Sequence, residues 1–395
     1  MGRTDEESNK RTMTKKYKIV YCTPSLYIPG GVERVLTTKA NYFADVLGYD
    51  IYIVLTDGKG KAPYYPLSSK IHLIYLDINF EELWNKNFIY KSLLYLKKQS
   101  AYKRELTRIL IELKPDITIS LLRREINFIT SIKDGSKKIG EIHINRKHYR
   151  NFERHEINIF KSLFSKIWMY QLITKLNRLD KFIVLTEDDK HNWIELNNVN
   201  VIPNPLIIND DIASLDNKEI IAVGRYSYEK GFDLLINAWT IVYEYHKDWR
   251  LSIYGTGNKE NLLPLLIEKN LSDSVNLQDS SHDIFNKYFE SSVFVCSSRF
   301  EGFGMVLAEA MSCGVPVVSF DCPYGPRNII NNGVDGILVK NGDVAELAKS
   351  IMHLIDNPIE RKRMGALAKH NIKRLDVIHI CKKWDELFNS LLSNR

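Results

Sequence analysis

Short apolar runs alternate with segments of helical spacing along most of the chain, and this alternation restricts the fold more than any other feature. The run "YKIVYC" is followed by the loop "TPSLYIPGG" and by a segment with apolar residues at Val32, Val35, Leu36, Ala40, Phe43 and Leu47. A second run, "DIYIVLTD", comes next. Strand, loop, helix and strand in that order form a βαβ unit with parallel strands. "PDITISLL" and "DKFIVLTE" read as later strands of the same sheet. In "VIPNP" (201–205), two prolines flank Asn204 and can continue neither a helix nor a central strand, so a hinge is expected there. The alternation then restarts: "EIIAVGRY", "RLSIYGTG", "SVNLQ", "VFVCSS", "VPVVSF" and "GILVK" are strand-like, with helical segments between them. The expected fold class is α/β, with two doubly wound domains whose parallel sheets face across a cleft. Ligands in such sheets bind beyond the carboxyl ends of the strands.

A chain of 395 residues suits two domains, and 44% apolar with 26% charged residues is a globular composition. The expected division is a flexible polar tail over 1–16, a first domain over 17–203 and a second over 204–375. A C-terminal helix over 376–395 is expected to pack back on the first domain. No run is long and apolar enough for a membrane-spanning helix, and "MGRTDEESNKRTMTKKYK" lacks the apolar segment of a secretory signal. The five cysteines have no metal-binding spacing and read as free thiols of a cytoplasmic protein. Charge is uneven. Through Asn204 there are 34 Lys and Arg against 23 Asp and Glu, or +11; the rest has 21 against 25, or −4. A basic first half favours an anionic partner: nucleic acid, acidic lipid or a phosphorylated substrate.

The chemistry concentrates in "SSRFEGFGMVLAEAMSCGVPVV" (297–318), where Glu301 and Glu309 stand eight apart. "GMVLAEAMSCG" reads as a helix ended by Gly314 and Pro316, so the glycine-bracketed turn sits between a strand's carboxyl end and a helix's N-terminus. The N–H groups of Gly302, Phe303, Gly304 and Met305 can there point at one anion. Glycosidase carboxylates stand about 5 Å or 6.5–9.5 Å apart, whereas eight helical residues rise about 12 Å. The two glutamates therefore suit opposite ends of a longer ligand: sugar hydroxyls at Glu301, a ribose at Glu309 and phosphates on the turn. Arg225 and Lys230, in "GRYSYEKG", could together neutralise a departing diphosphate. No D-x-D occurs in the sequence, so fixed cations and helix starts would do the work of a metal. "GTGNKE" fails the third glycine of a dinucleotide fingerprint, which argues against an NAD-dependent oxidoreductase.

"EGFGMVLAEAMSCGVPVV" resembles the signature of family 4 retaining glycosyltransferases, which have the GT-B fold of two Rossmann-like domains. "PGGVERV" resembles the family's acceptor-domain glycine loop, and "VGRYSYEKGFDLLINAW" its donor-phosphate strand and helix. "IYGTGNKENLL" and "NNGVDGILV" stand where that pattern expects them. "SFDCPYGPRNIINNGVDGILV" is similar to bacterial enzymes that add α-linked hexose or N-acetylhexosamine to polyprenyl-diphosphate glycans and surface polysaccharides. The resemblance implies that Glu301, His143, Arg225 and Lys230 are catalytic. It implies donor binding by Gly30, Gly31, Gly224, Arg225, Lys230, Gly255, Gly302, Phe303, Gly304, Met305, Val306 and Glu309. The His143 role is implied by the resemblance, and the local pattern is looser, because Ile142 separates Glu141 from His143.

The implied activity is retaining transfer of a hexosyl or N-acetylhexosaminyl unit from a UDP-sugar to a sugar hydroxyl, without cofactor or metal. The first domain would bind the acceptor and the second the nucleotide-sugar donor. GDP-mannose as donor, or nucleotide-sugar binding without transfer, are the alternatives. The expected partners are the nucleotide-sugar, a polyprenyl-diphosphate-linked glycan and an anionic membrane surface, at the inner face of the cytoplasmic membrane. Nucleic acid is not expected, for no nucleic-acid motif accompanies the basic residues. The membrane contact is expected from the segment around 146–170, where Arg146, Lys147, Arg150, Arg154, Lys161 and Lys166 mix with Tyr149, Phe152, Phe160, Phe164 and Trp168.

Overall fold

The computed structural model describes residues 16–83, 87–146, 159–208, 210–281 and 283–393, with backbone alone at 88, 89 and 159–166. Among these residues, strands β1 (Lys18–Thr23), β2 (Asp50–Leu55), β3 (His72–Tyr75), β4 (Ile117–Ser120), β5 (Lys137–Glu141), β6 (Lys181–Val184) and β7 (Val199–Val201) form one sheet. Its order is β3-β2-β1-β4-β5-β6-β7. Strands β8 (Glu219–Val223), β9 (Arg250–Gly255), β10 (Val275–Asp279), β11 (Val293–Cys296), β12 (Val317–Asp321) and β13 (Gly336–Lys340) form the other, in the order β10-β9-β8-β11-β12-β13. The strand pairings described are parallel in both sheets. In each sheet the order reverses beside the first strand, so chains leaving the two neighbouring strands at that point diverge and open a crevice at their carboxyl ends.

The chain divides into two compact units: residues up to Pro29 with Lys39–Lys138, and Gly30–Thr38 with Ile139–Arg395. In the first unit β1 is buried at every residue after Lys18, as a parallel strand covered on both faces must be. The helix Phe88–Leu113 buries Tyr102, Leu106, Ile109 and Leu110, a helical stripe of apolar side chains. Asn87 caps its start by accepting from the Tyr90 N–H, and Lys114 ends it in the left-handed region at φ 47°, just before Pro115. In the second unit Ile220, Ala222, Leu235, Trp239, Ile253, Val293 and Phe320 belong to one buried core. A buried Arg361 ties that unit's loops together by donating to the carbonyls of Leu215, Leu354 and Ile355 at 2.7–3.2 Å.

The ten runs singled out in the sequence are strands. The helix Phe88–Leu113, with 26 residues, was not among the elements expected, nor were the short strands β3 and β7. The expected polar tail lies outside the described residues except for Lys16. Among the described residues no helix is long and apolar enough to cross a membrane.

All five cysteines are free and buried. Burial pushes the Cys22, Cys296 and Cys322 thiols up, and Cys313 up to about 12. Little thiolate therefore exists at these positions at neutral pH. Ellman's reagent at pH 8 should react with the native protein far more slowly than with the urea-unfolded chain, which should titrate five thiols. Rapid labelling of the native chain would contradict the packing of the cores.

Candidate active site at the strand-order reversal of the second sheet

The loop after β8 carries Arg225 and Lys230, and the loop after β11 carries Glu301. β8 and β11 are neighbours at the reversal, which brings these loops together. A backbone bond and a side-chain bond join them. The Arg299 N–H donates to Glu229 O at 2.8 Å, and Ser297 Oγ donates to Lys230 O at 2.9 Å. Gly231 stands between them at φ +61°, and a Cβ on it would lie 2.1 Å from Ser297 O. No other residue type lets the loops approach so closely in that conformation.

The approach produces a nearly buried ion pair. Lys230 Nζ lies 2.6 Å from Glu301 Oε1, with the two side chains 15% and 9% exposed. Ser298 Oγ donates to the same oxygen at 2.6 Å, and the Cys296 thiol lies 4.0 Å from it. Burial disfavours the charge on Lys230, but the Glu301 carboxylate outweighs that penalty and raises its pKa. Both contacts fall on Oε1, so Oε2 is the oxygen of Glu301 left for a ligand. The stem of Lys230 passes over Gly224, where a Cβ would meet Cδ at 3.0 Å, and a Cβ on Gly255 would meet Gly224 O at 1.8 Å.

Beyond Glu301 the chain enters the helix Met305–Ser312 through Gly304, with no side-chain cap. Among the described residues the N–H groups of Gly302, Phe303, Gly304, Met305 and Val306 have no hydrogen-bond acceptor, while Leu307 donates back to Gly304 O. Five donors and a helix start collect partial positive charge at one place. The β5 loop packs on the same turn. Asn145 Nδ2 donates to Glu301 O at 3.2 Å, and a Cβ on Gly302 would lie 2.6 Å from His143 O. His143 Nε2 is 3.3 Å from Glu141 Oε1, with both side chains buried, and neither ring nitrogen makes a hydrogen bond among the described residues.

Glu309 lies elsewhere on that helix and is buried. Arg34 Nη1 pairs with its Oε1, and Tyr288 OH donates to its Oε2 at 3.2 Å. Burial and the Glu309 carboxylate push the Tyr288 phenol well up, so it remains a donor. Arg225 is 70% exposed and pairs with Glu229 at 2.8 Å, and its charge acts on Lys230. Gly31 opens the helix Gly31–Asp45 directly after Gly30. The structure thus gathers Lys230, Glu301, Gly302, Phe303, Gly304 and His143 around one turn and leaves Arg225 on the surface. Ser298, Asn145, Arg34 and Tyr288 were not foreseen as partners; only the serine three residues before Glu301 left a local signal. Of the basic aromatic segment, Lys147, Tyr149, Arg150, Phe152 and Arg154 lie outside the described residues, as do the side chains of Phe160, Lys161, Phe164 and Lys166.

Residues 207–371 match the family Glycosyl transferases group 1. An "uncharacterized glycosyltransferase" of Haemophilus influenzae is 29% identical over 378 residues, 93% of this chain and 98% of that one. A poly(ribitol-phosphate) alpha-N-acetylglucosaminyltransferase of Staphylococcus aureus is 30% identical over 65% of this chain, which spans about half of that relative's length, 51%. An S. aureus TarM variant solved with fondaparinux, alpha-GlcNAc-glycerol and UDP superposes with a TM-score of 0.76 at 19% identity, covering 94% of this chain and 100% of that one. Residues 207–371 are thus similar to group 1 glycosyltransferases, and the two parallel sheets have the GT-B fold.

Removing one partner of a buried pair leaves the other uncompensated, so Lys230→Ala should cost about 3–5 kcal/mol of stability in urea unfolding at pH 7. Replacing both partners with Lys230→Met and Glu301→Gln should recover most of it. A Lys230→Ala protein as stable as the parent would show that the pair does not form.

Proposed function

We propose that the protein is a retaining, metal-independent glycosyltransferase. It moves a hexosyl or N-acetylhexosaminyl unit from a UDP-sugar to a sugar hydroxyl of a polyprenyl-diphosphate-linked or surface-polysaccharide glycan, giving an α-linkage at the inner face of the cytoplasmic membrane. The observation that carries the reading is the row of five unpartnered N–H groups from Gly302 to Val306 beside the Lys230 ammonium. The S. aureus relative's α-N-acetylglucosaminyl transfer and the UDP held by the TarM structure support the linkage and the donor.

In this reading the donor diphosphate lies on the helix start at Met305, with Lys230 as its fixed cation. The bond between the sugar's anomeric carbon and the diphosphate oxygen breaks, and UDP departs with the electron pair. The acceptor oxygen bonds to that carbon on the face the diphosphate leaves, and its proton passes to the departing phosphate. Glu301 Oε2 accepts from a sugar hydroxyl, and Lys230 and Ser298 hold the carboxylate in place. His143, buried beside Glu141 and with neither ring nitrogen hydrogen-bonded among the described residues, serves the donor sugar. Glu309 takes the ribose, and Gly30 and Gly31 approach the phosphates. A protein nucleophile has no part in this scheme.

The test is a panel of UDP- and GDP-sugars with bacterial lipid extract, with and without chelator. Transfer from a UDP-sugar should survive the chelator and fall about 100-fold or more in Glu301→Gln and Lys230→Ala, as expected when preorganised charge is lost. A GDP-sugar preference would select the mannosyl alternative. UDP binding without transfer to any acceptor would leave a nucleotide-sugar-binding protein.

Stereochemistry and the phosphate role separate in a second measurement. The product's anomeric configuration, read by NMR, should match the donor's α-configuration. Gly302→Ala, whose Cβ would press on the His143 carbonyl, should weaken UDP binding about tenfold or more. Inversion at the anomeric carbon would end the retaining assignment.

A further inference from the structure

Three large apolar side chains stand out of water-facing backbone within seven residues of the helix Phe88–Leu113: Tyr90 is 53% exposed, Leu93 65% and Leu96 64%. At 3.6 residues per turn they share an arc of about 140° with Lys97, Lys103 and Arg104. Those three cations are also exposed, while Tyr102, Leu106 and Ile109 fill the opposite, buried face. Ile359 is exposed too, but its basic neighbours Lys362 and Arg363 are paired with Asp216 and Glu360.

The charge on this stretch has one sign. From Phe88 to Arg104 the sequence holds Lys91, Lys97, Lys98, Lys103 and Arg104 and no acidic residue. Lys98 turns inward to Ile78 O and Glu82, and Arg104 meets Glu105 at 3.1 Å. Past that point the helix balances itself, with Arg108 bonded to Glu105 and Glu112. So apolar exposure and uncompensated positive charge coincide only in the first half. A protein groove would satisfy the leucines but has no need of a lysine border free of acids. A bilayer with acidic headgroups satisfies both, the acyl region taking Leu93, Leu96 and the Tyr90 ring while the lysines meet the phosphates.

We propose that the first half of the helix Phe88–Leu113 docks on an anionic lipid bilayer. This deepens the lipid-linked acceptor reading and rests on it only for its purpose, since docking is measured without donor or acceptor. It names a surface separate from the segment around 146–170, most of which lies outside the described residues.

The experiment is co-sedimentation of the full chain with phosphatidylcholine vesicles, with and without phosphatidylglycerol, across a salt series. The parent should bind only vesicles containing phosphatidylglycerol, and less so as salt rises. Lys97→Gln/Lys103→Gln should weaken binding about fivefold for each charge removed, and Leu93→Ser/Leu96→Ser should weaken it about tenfold or more. These side chains are exposed, so circular dichroism should match the parent, and transfer to a soluble acceptor should be unchanged. The proposal is overturned if the parent ignores anionic vesicles or if both double variants bind them like the parent. It is also overturned if Leu93→Ser/Leu96→Ser abolishes self-association while vesicle binding persists, which would make the face a protein contact. A parent that binds vesicles but transfers no sugar supports this surface and counts against the transferase reading alone.

Discussion

Lys230 and Glu301 are 71 residues apart in sequence and 2.6 Å apart in space, and the strand order is what joins them. With β9 on one side of β8 and β11 on the other, the loops leaving β8 and β11 open into the same crevice. Each loop delivers one charge to it. Taking two charges out of water costs several kcal/mol per ion before any attraction is counted, so the pair needs help. Ser298 supplies a further hydrogen bond to the carboxylate, and the bonds from Arg299 N–H to Glu229 O and from Ser297 Oγ to Lys230 O fix the distance between the loops beforehand. The result is an ammonium that stays charged beside an uncapped helix start. A free lysine on a surface loop would be hydrated, mobile and a weaker partner for phosphate.

Much of this was legible in the sequence because it is local. A buried parallel strand must be a largely apolar run, and the ten runs read as strands are strands, although β10 at the sheet edge is mostly exposed. The glycine-bracketed turn announced itself because only glycine tolerates the contacts made there. What escaped has physical causes. β3 is a four-residue strand at the sheet edge, half-exposed for most of its length, so its sequence carries no strong apolar signal. The helix Phe88–Leu113 mixes its buried stripe with an exposed apolar stripe, which blurs the period that would have revealed it. The pairings of Glu309 with Arg34 and Tyr288 span 275 and 21 residues and have no local signature at all.

Glu309 also shows how a surface-like residue becomes an interior one. Alone, a glutamate eight residues beyond another suggests solvent. Yet the helix Met305–Ser312 is buried at every residue from Leu307 to Ser312. A carboxylate there requires donors on both oxygens, and the arginine and the tyrosine provide them. Burial holds the tyrosine protonated, so one of those donors is permanent at neutral pH.

That arrangement constrains how a nucleotide could enter. A ribose hydroxyl approaching Glu309 meets oxygens that already have partners, and a neutral hydrogen bond contributes only about 1 kcal/mol net. It cannot displace a charge-assisted guanidinium bond on its own. On the proposed chemistry a ribose hydroxyl would therefore share Glu309 with the Arg34 guanidinium and the Tyr288 hydroxyl rather than replace them.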